Sequence, residues 1–166
     1  MNRFKAPWGK SLWIMSVIGT VICLAGSLFF LRTILTFRIH TGYFWLSVFP
    51  LFLVVGAALF IVRGYSVSGD SIFIERLFWS TRLPVTGLQS VRFEADAMRG
   101  SIRAFGNGGF FSITGYYWNK RLGSYRAFVT DPRRIVVIRF PKRAVVLSPD
   151  SPDDFVRVLL PFAINA

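Results

Sequence analysis

"SLWIMSVIGTVICLAGSLFFL", Ser11 to Leu31, runs for 21 residues without a charge between Lys10 and Arg32. At about 1.5 Å of rise per residue this run makes a helix of roughly 30 Å, the thickness of a bilayer's hydrocarbon core. A second uncharged run, "YFWLSVFPLFLVVGAALFIV", covers Tyr43 to Val62 and is closed by Arg63. Trp13, Tyr43, Phe44 and Trp45 lie near the ends of these runs, where aromatic rings settle at the membrane–water interface. Pro50 is expected to kink the second helix without abolishing it. The basic "MNRFKAPWGK" in front invites a reading as a cleaved leader. The apolar run is too long for one, however, and no small-x-small site follows it before Arg32. The expectation is therefore a transmembrane helical hairpin over 1–63, with spans at about 11–31 and 43–62. The short connection makes the helices antiparallel, and Gly19, Gly26, Gly56 and Ala57 are expected to let them approach closely.

Composition agrees with two apolar spans and a more polar remainder. The chain of 166 residues is 53% hydrophobic with 18 Phe, and its mean hydropathy is +0.50. The net charge is +12, and all 8 acidic residues lie beyond position 69. Arg3, Lys5, Lys10, Arg63, Arg76 and Arg82 flank the hairpin on its outer side, against Arg32 and Arg38 in the connection. Basic residues stay on the cytoplasmic side, so this asymmetry predicts a multi-pass protein of the inner (plasma) membrane with both termini in the cytoplasm.

After Arg63 the texture changes to short runs rich in β-branched and aromatic residues, separated by turns. "YSVSG" and "SIFIERLFW" flank Gly69-Asp70, a hairpin turn, and Ile72 and Ile74 alternate with polar neighbours. "RLPVTGLQSVRFE" reads as a strand end, a turn at Thr86-Gly87 and a strand through Val91 and Phe93. "SIRAF" and "SYRAFVTD" follow, then a turn at Asp131-Pro132. "RIVVIRF" and "RAVVL" form a hairpin across Pro141-Lys142. In "SPDDFVRVLLPF" Ser151 suits an N-cap and Pro152 the first helical position, while Asp153 and Asp154 suit the positive end of the helix dipole. The fold class is then α+β: a helical hairpin over 1–63, followed over 64–166 by about seven strands in a barrel or sandwich, closed by one C-terminal helix.

The succession "YSVSGDSIFIER", "LPVTGLQSV", "FGNGGFFSITGYYWNKRLGSYRAFVTD" and "RAVVLSPDSPDDFV" resembles the bacterial pleckstrin-homology-like (PH) domain. It is most similar to small membrane proteins that carry this domain after a helix pair. The resemblance covers roughly Gly64 to Leu160 and implies a seven-stranded PH-type barrel capped by a helix, without catalysis. Eukaryotic relatives often bind phosphoinositide headgroups through basic residues in the first hairpin loop. Here that loop is "SGDS", with an acid and no Lys or Arg.

No enzyme-like constellation emerges. "GNGGFFSI" lacks the Lys of a phosphate-binding P-loop, and a strand rather than a helix follows it. Gly106 to Gly109 are expected to supply positive φ in a turn between strands. Of Phe110, Phe111, Tyr116, Tyr117 and Trp118, about half should face a core by alternation, with a lipid-interface loop as the sharper alternative. One cysteine, Cys23, and one histidine, His40 in the connecting loop, offer no metal site and no triad. An enzyme would have to use the acidic pairs Glu94/Asp96, sharing a strand face, or Asp153/Asp154. The candidate contact residues are the basic pairs Lys120/Arg121, Arg133/Arg134 and Lys142/Arg143, with Trp118 as an interfacial ring. If their loops share a rim, they face anionic lipid headgroups or a membrane protein partner. The membrane anchor argues against nucleic acid. No cofactor is expected, and the reading is of a non-catalytic binding or scaffolding module.

Overall fold

The computed structural model describes residues 2–37 and 43–164; Arg38 and His40 lie outside them. A short strand, β1 (Asn2–Lys5), precedes helices α1 (Lys10–Phe37) and α2 (Phe44–Leu59). Strands β2 (Gly64–Ser68), β3 (Ser71–Glu75), β4 (Ser80–Pro84) and β5 (Ser90–Phe93) follow. Next come β6 (Ile102–Gly108), β7 (Ile113–Asn119), β8 (Gly123–Val129), β9 (Val136–Phe140) and β10 (Arg143–Leu147), and last α3 (Pro152–Leu159) with one 3-10 turn, Leu160–Phe162.

The apolar runs form helices, but unequal ones. α1 extends six residues past Leu31, because "LRTILTF" contains no breaker, and its 28 residues reach about 42 Å. α2 has only 16 residues, about 24 Å, and runs through Pro50. Its end comes early because Phe60 N–H and Ile61 N–H donate to the i−3 carbonyls of Ala57 and Ala58. Val62 is then drawn into the β core, fully buried. Of the two, only α1 is long and apolar enough to cross a membrane. The small-residue seam also differs from expectation. Ser16, Ser27 and Ser47 are the buried helix residues alongside Leu12, whereas a Cβ added at Gly26 or Gly56 would meet nothing within 4 Å.

The tail is a sandwich of two sheets with nine strands rather than seven, and β1 adds a tenth from before the hairpin. Their orders are β1-β2-β3-β4 and β5-β9-β10-β8-β7-β6. β1 was not foreseen: Asn2, Arg3, Phe4 and Lys5 pair antiparallel with Val67, Ser66, Tyr65 and Gly64. The division at 63/64 therefore leaves out four N-terminal residues that belong to the sheet. β8 and β10 are parallel, and the other pairs are antiparallel.

Between the sheets lies the main core, with Tyr65, Ile72, Ile74, Leu83, Phe128, Val136, Ile138 and Leu147 closed by Phe155 and Leu159 of α3. Alternation puts Tyr117, Tyr125, Ala127, Val129, Val137 and Val146 on the other face of the long sheet, in a second cluster under Ala97 and Met98. Ser151 stands at the N-cap of α3 without a side-chain bond, and Pro152 opens the helix as expected.

Candidate functional site

The long sheet continues past the short one by β7 and β6, and their uncovered inner face meets the bases of the helices. Two glycines set this overhang. Gly106 and Gly115 oppose each other in register, at φ +119° and +140°. A Cβ on Gly115 would come within 2.1 Å of the Phe105 carbonyl oxygen, so only glycine lets the two backbones approach this closely. The glycine run is thus mostly strand, and the turn falls later than expected, at Gly109–Ser112. Asn107 Oδ1 accepts from the Gly109 and Phe110 amides at 3.2 and 2.9 Å and fixes that turn. Phe111 takes φ +65°, unusual for an aromatic residue, and its N–H donates to Ser16 Oγ of α1 at 2.8 Å. Trp8 packs on Phe111 at 6.0 Å, and Phe110 lies over Gly19, whose Cβ would sit 2.9 Å from its ring. The aromatic turn is a clasp on the first helix.

The β3–β4 turn meets the second helix. "RLFW" was expected to continue the strand, but β3 stops at Glu75 and Arg76–Trp79 turns back, closed by Arg76 N–H to the Trp79 carbonyl. Leu77, Phe78 and Trp79 are exposed, and Trp79 packs edge-on against Phe60 at 5.5 Å. Three apolar side chains at a turn next to a helix base suit a lipid interface. A non-alternating apolar triplet after a five-residue strand was the signal available in the sequence. Arg76 points inward instead and is 8% exposed. It donates to the Phe60 carbonyl at 2.7 Å. Its guanidinium stacks on Phe128, whose other neighbour is the guanidinium of Arg126, at 5.4 and 4.7 Å. Burial, and then repulsion from Arg126, lower the Arg76 pKa.

Above these arginines lies a cavity of about 890 Å³ bounded by α1, α2 and the inner face of β6–β8. Met15, Gly19, Ile22, Phe52, Leu53 and Gly56 form its helix side, and Arg76, Arg103 and Arg126 supply its cations. Sequence reasoning missed this site. Its residues come from two helices, three strands and the β3–β4 turn, and none of the three arginines stands in a motif.

A family profile of the bacterial PH domain matches residues 63–160, over half of the chain. The chain belongs to that family. Searches of curated proteins and of solved structures found no match. The first hairpin loop, where eukaryotic PH domains often bind headgroups through basic residues, is here the two-residue turn between Ser68 and Ser71 and holds none. Its Asp70 accepts from Ser71 and pairs with Arg82 at 3.3 Å.

The PH domain does not bring the three basic pairs to one rim. β8 and β10 are parallel, so the turns that precede them, with Lys120/Arg121 and Lys142/Arg143, share one end of the sheet. Arg133 and Arg134 follow β8 at the other end, where the Thr130 carbonyl accepts from Gly9 N–H below α1. The seven residues of β8 separate the two ends by about 23 Å. Asp131 lies 3.8 and 3.7 Å from Arg133 and Arg134, Arg121 pairs with Glu94 at 2.9 Å, and Arg143 stacks on Phe140. Trp118 and Tyr116 are exposed on the open inner face, while Tyr117 is buried.

The acidic pairs are dispersed. β5 ends at Phe93, so Glu94 and Asp96 do not share a strand face; Glu94 serves Arg121, and Asp96 is exposed in the following turn. Asp153 and Asp154 are exposed in the first turn of α3, where Asp154 holds Arg157 at 3.2 Å.

Proposed function

We propose that the chain is an inner-membrane protein whose helical hairpin holds the PH domain at the cytoplasmic face as a non-catalytic binding or scaffolding module. The observation that carries this reading is the state of the helices. α1 and α2 expose most of their apolar side chains, Ile18, Val21, Ile22, Leu28, Phe29, Phe49 and Phe52 among them. Helices of a soluble core would bury these faces, and only the helix bases are covered by the domain. Lipid is the solvent that such faces require. α2 is short for a span, and a bilayer accommodates a short helix by local thinning and by its flanking residues. Pairing of β1 with β2 supports the hairpin topology, because the chain before α1 and the chain after α2 join one sheet and so lie on one side.

With the helix bases fixed, the two ends of the PH domain meet different surroundings. Arg133 and Arg134 lie at the end next to the bilayer and are the pair suited to anionic headgroups. Lys120, Arg121, Lys142 and Arg143 lie at the far end, where a protein partner can reach them, and Trp118, opposite Ser124, sits on the open face at that same end. The test is a reporter active only in the cytoplasm, fused after Ala166. Full activity is expected, and an inactive, exported fusion would refute the topology.

A further inference from the structure

We propose that the cavity between the hairpin and β6–β8 binds one anionic phospholipid, with its phosphate on Arg76 and Arg126, Arg103 adding positive charge from the β6 edge, and an acyl chain between α1 and α2. The proposal rests on the membrane reading above, which brings the helix groove into contact with lipid.

Charge is the first argument. Arg76, Arg103 and Arg126 line one cavity, and none of them has a carboxylate within ion-pair distance among the described residues. Elsewhere the domain's acids take up Arg3, Arg82, Arg121, Arg133, Arg134 and Arg157. Burying a cation without an opposite charge is costly, and Arg76 is buried beside a second cation. A phosphate relieves both burial and repulsion, since guanidinium forks match its oxygens in pairs. Arg76 Nη1 holds the Phe60 carbonyl and Nε lies 3.4 Å from Thr81 Oγ1, which leaves the Nη2 donors for a phosphate oxygen.

The second argument is the lining on the other side. From Met15 to Cys23 the α1 wall extends about 12 Å away from the arginines, and Phe52, Leu53 and Gly56 face it. A free phosphate has no use for that wall, whereas an amphiphile fills both halves. Gly56 supplies room, with nothing within 4 Å of an added Cβ. The arginines come from the β3–β4 turn, β6 and β8, not from the first hairpin loop, where eukaryotic relatives often bind headgroups.

The test uses the full chain in neutral phosphatidylcholine nanodiscs, titrated with phosphatidylglycerol and followed by thermal shift and native mass spectrometry. One phosphatidylglycerol per chain and a higher melting temperature are expected. Arg126→Gln should weaken binding about tenfold, the scale of one charge-assisted hydrogen bond. Gly56→Leu, a helical position with open space, should abolish it while leaving the melt in phosphatidylcholine unchanged. Should Gly56→Leu lower that melt, Arg103→Gln with Arg126→Gln replaces it, with loss of binding again expected. Equal stabilisation by glycerol phosphate would mean a free-anion site and overturn the lipid assignment, as would equal binding of phosphatidylcholine. Alkaline carbonate extraction separates the two levels. A chain that stays in the membrane but shows no preference refutes only the lipid site; a chain that is released refutes the membrane reading as well.

Discussion

Phe4→Ala probes the least expected element of the fold. Phe4 sits in β1, and its ring meets Phe155 of α3 edge-on at 5.0 Å, packed against the main core while half-buried itself. The strand is tied at its C-terminal end, where Ala6 N–H donates to the Arg63 carbonyl and the Lys5 carbonyl accepts from Asp150 N–H. Truncating a fully buried Phe costs about 3–5 kcal/mol. Half burial brings this to about 2 kcal/mol, and the aromatic pair adds about 0.5–1 kcal/mol. For a domain near 100 residues, 1 kcal/mol corresponds to roughly 4–8 °C, so the β transition should fall by about 10 °C or more. The assay is a circular-dichroism melt of the full chain in detergent, read at the strand band. Arg3→Gln is the control: Arg3 bonds Glu75 at 2.6 Å but is 73% exposed, so its loss should cost less than about 1 kcal/mol. A Phe4→Ala melt within about 2 °C of wild type, which corresponds to about 0.5 kcal/mol or less, would mean that β1 does not dock. The argument for both ends of the hairpin lying on one side would then lose its support.

Gly115→Ala should destabilise the β6–β7 overhang by about 3 kcal/mol or more, combining positive-φ strain with a clash against the Phe105 carbonyl; a wild-type melt would exclude the close approach. Tyr65 donates to the Phe128 carbonyl at 2.6 Å, and burial pushes its pKa up to about 12. Because the raised value favours the neutral form in the folded state, its stability is intact below about pH 10 and lost as pH rises towards 12, by at most about 1.4 kcal/mol per pH unit. Tyr65→Phe should flatten that slope, and an unchanged pH profile would contradict the burial. Ser16→Ala leaves the Phe111 amide without its acceptor; faster hydrogen exchange across Gly109–Ser112 is expected, by about tenfold for a bond of 1–2 kcal/mol, and unchanged exchange would remove the clasp.

Local pattern carried most of the domain and little of the site. The alternation in "SIFIE" predicts that Ile72 and Ile74 are buried, as they are, and Gly69, Gly87 and Pro152 mark a hairpin, a turn and a helix start where the structure has them. The family resemblance over Gly64 to Leu160 agrees with the matched residues. β1 was illegible because four residues, two of them basic, read as a membrane flank, and their partner strand lies some sixty positions on. Placing the basic pairs required knowing that β8 and β10 run parallel, and nothing local in "SYRAFVTD" or "RAVVL" records that. Arg76 and Arg126 were hidden for the same reason. They come together at the Phe128 ring, a consequence of how the two sheets stack.

The joint between hairpin and domain is what gives these placements a functional consequence. A PH domain on a flexible tether would sample all orientations, and its basic turns would act only through raised local concentration. Here the chain passes from α2 into β2 with Val62 buried in the core, β1 pairs with β2 before α1 begins, and Gly9, Ser16 and Phe60 each bond to the domain. Ser112 Oγ adds a second donor to the Phe60 carbonyl at 3.1 Å. So many attachments at the helix bases fix orientation as well as distance, with one end of the long sheet beside the helix bases and the other about 23 Å away along β8. The cavity stands at this joint and uses both halves, α1 and α2 for one wall and the sheet for the other. Phe60 and Arg76 line it and are themselves bonded across the joint, so a molecule held there touches the contact that ties the end of α2 to the domain.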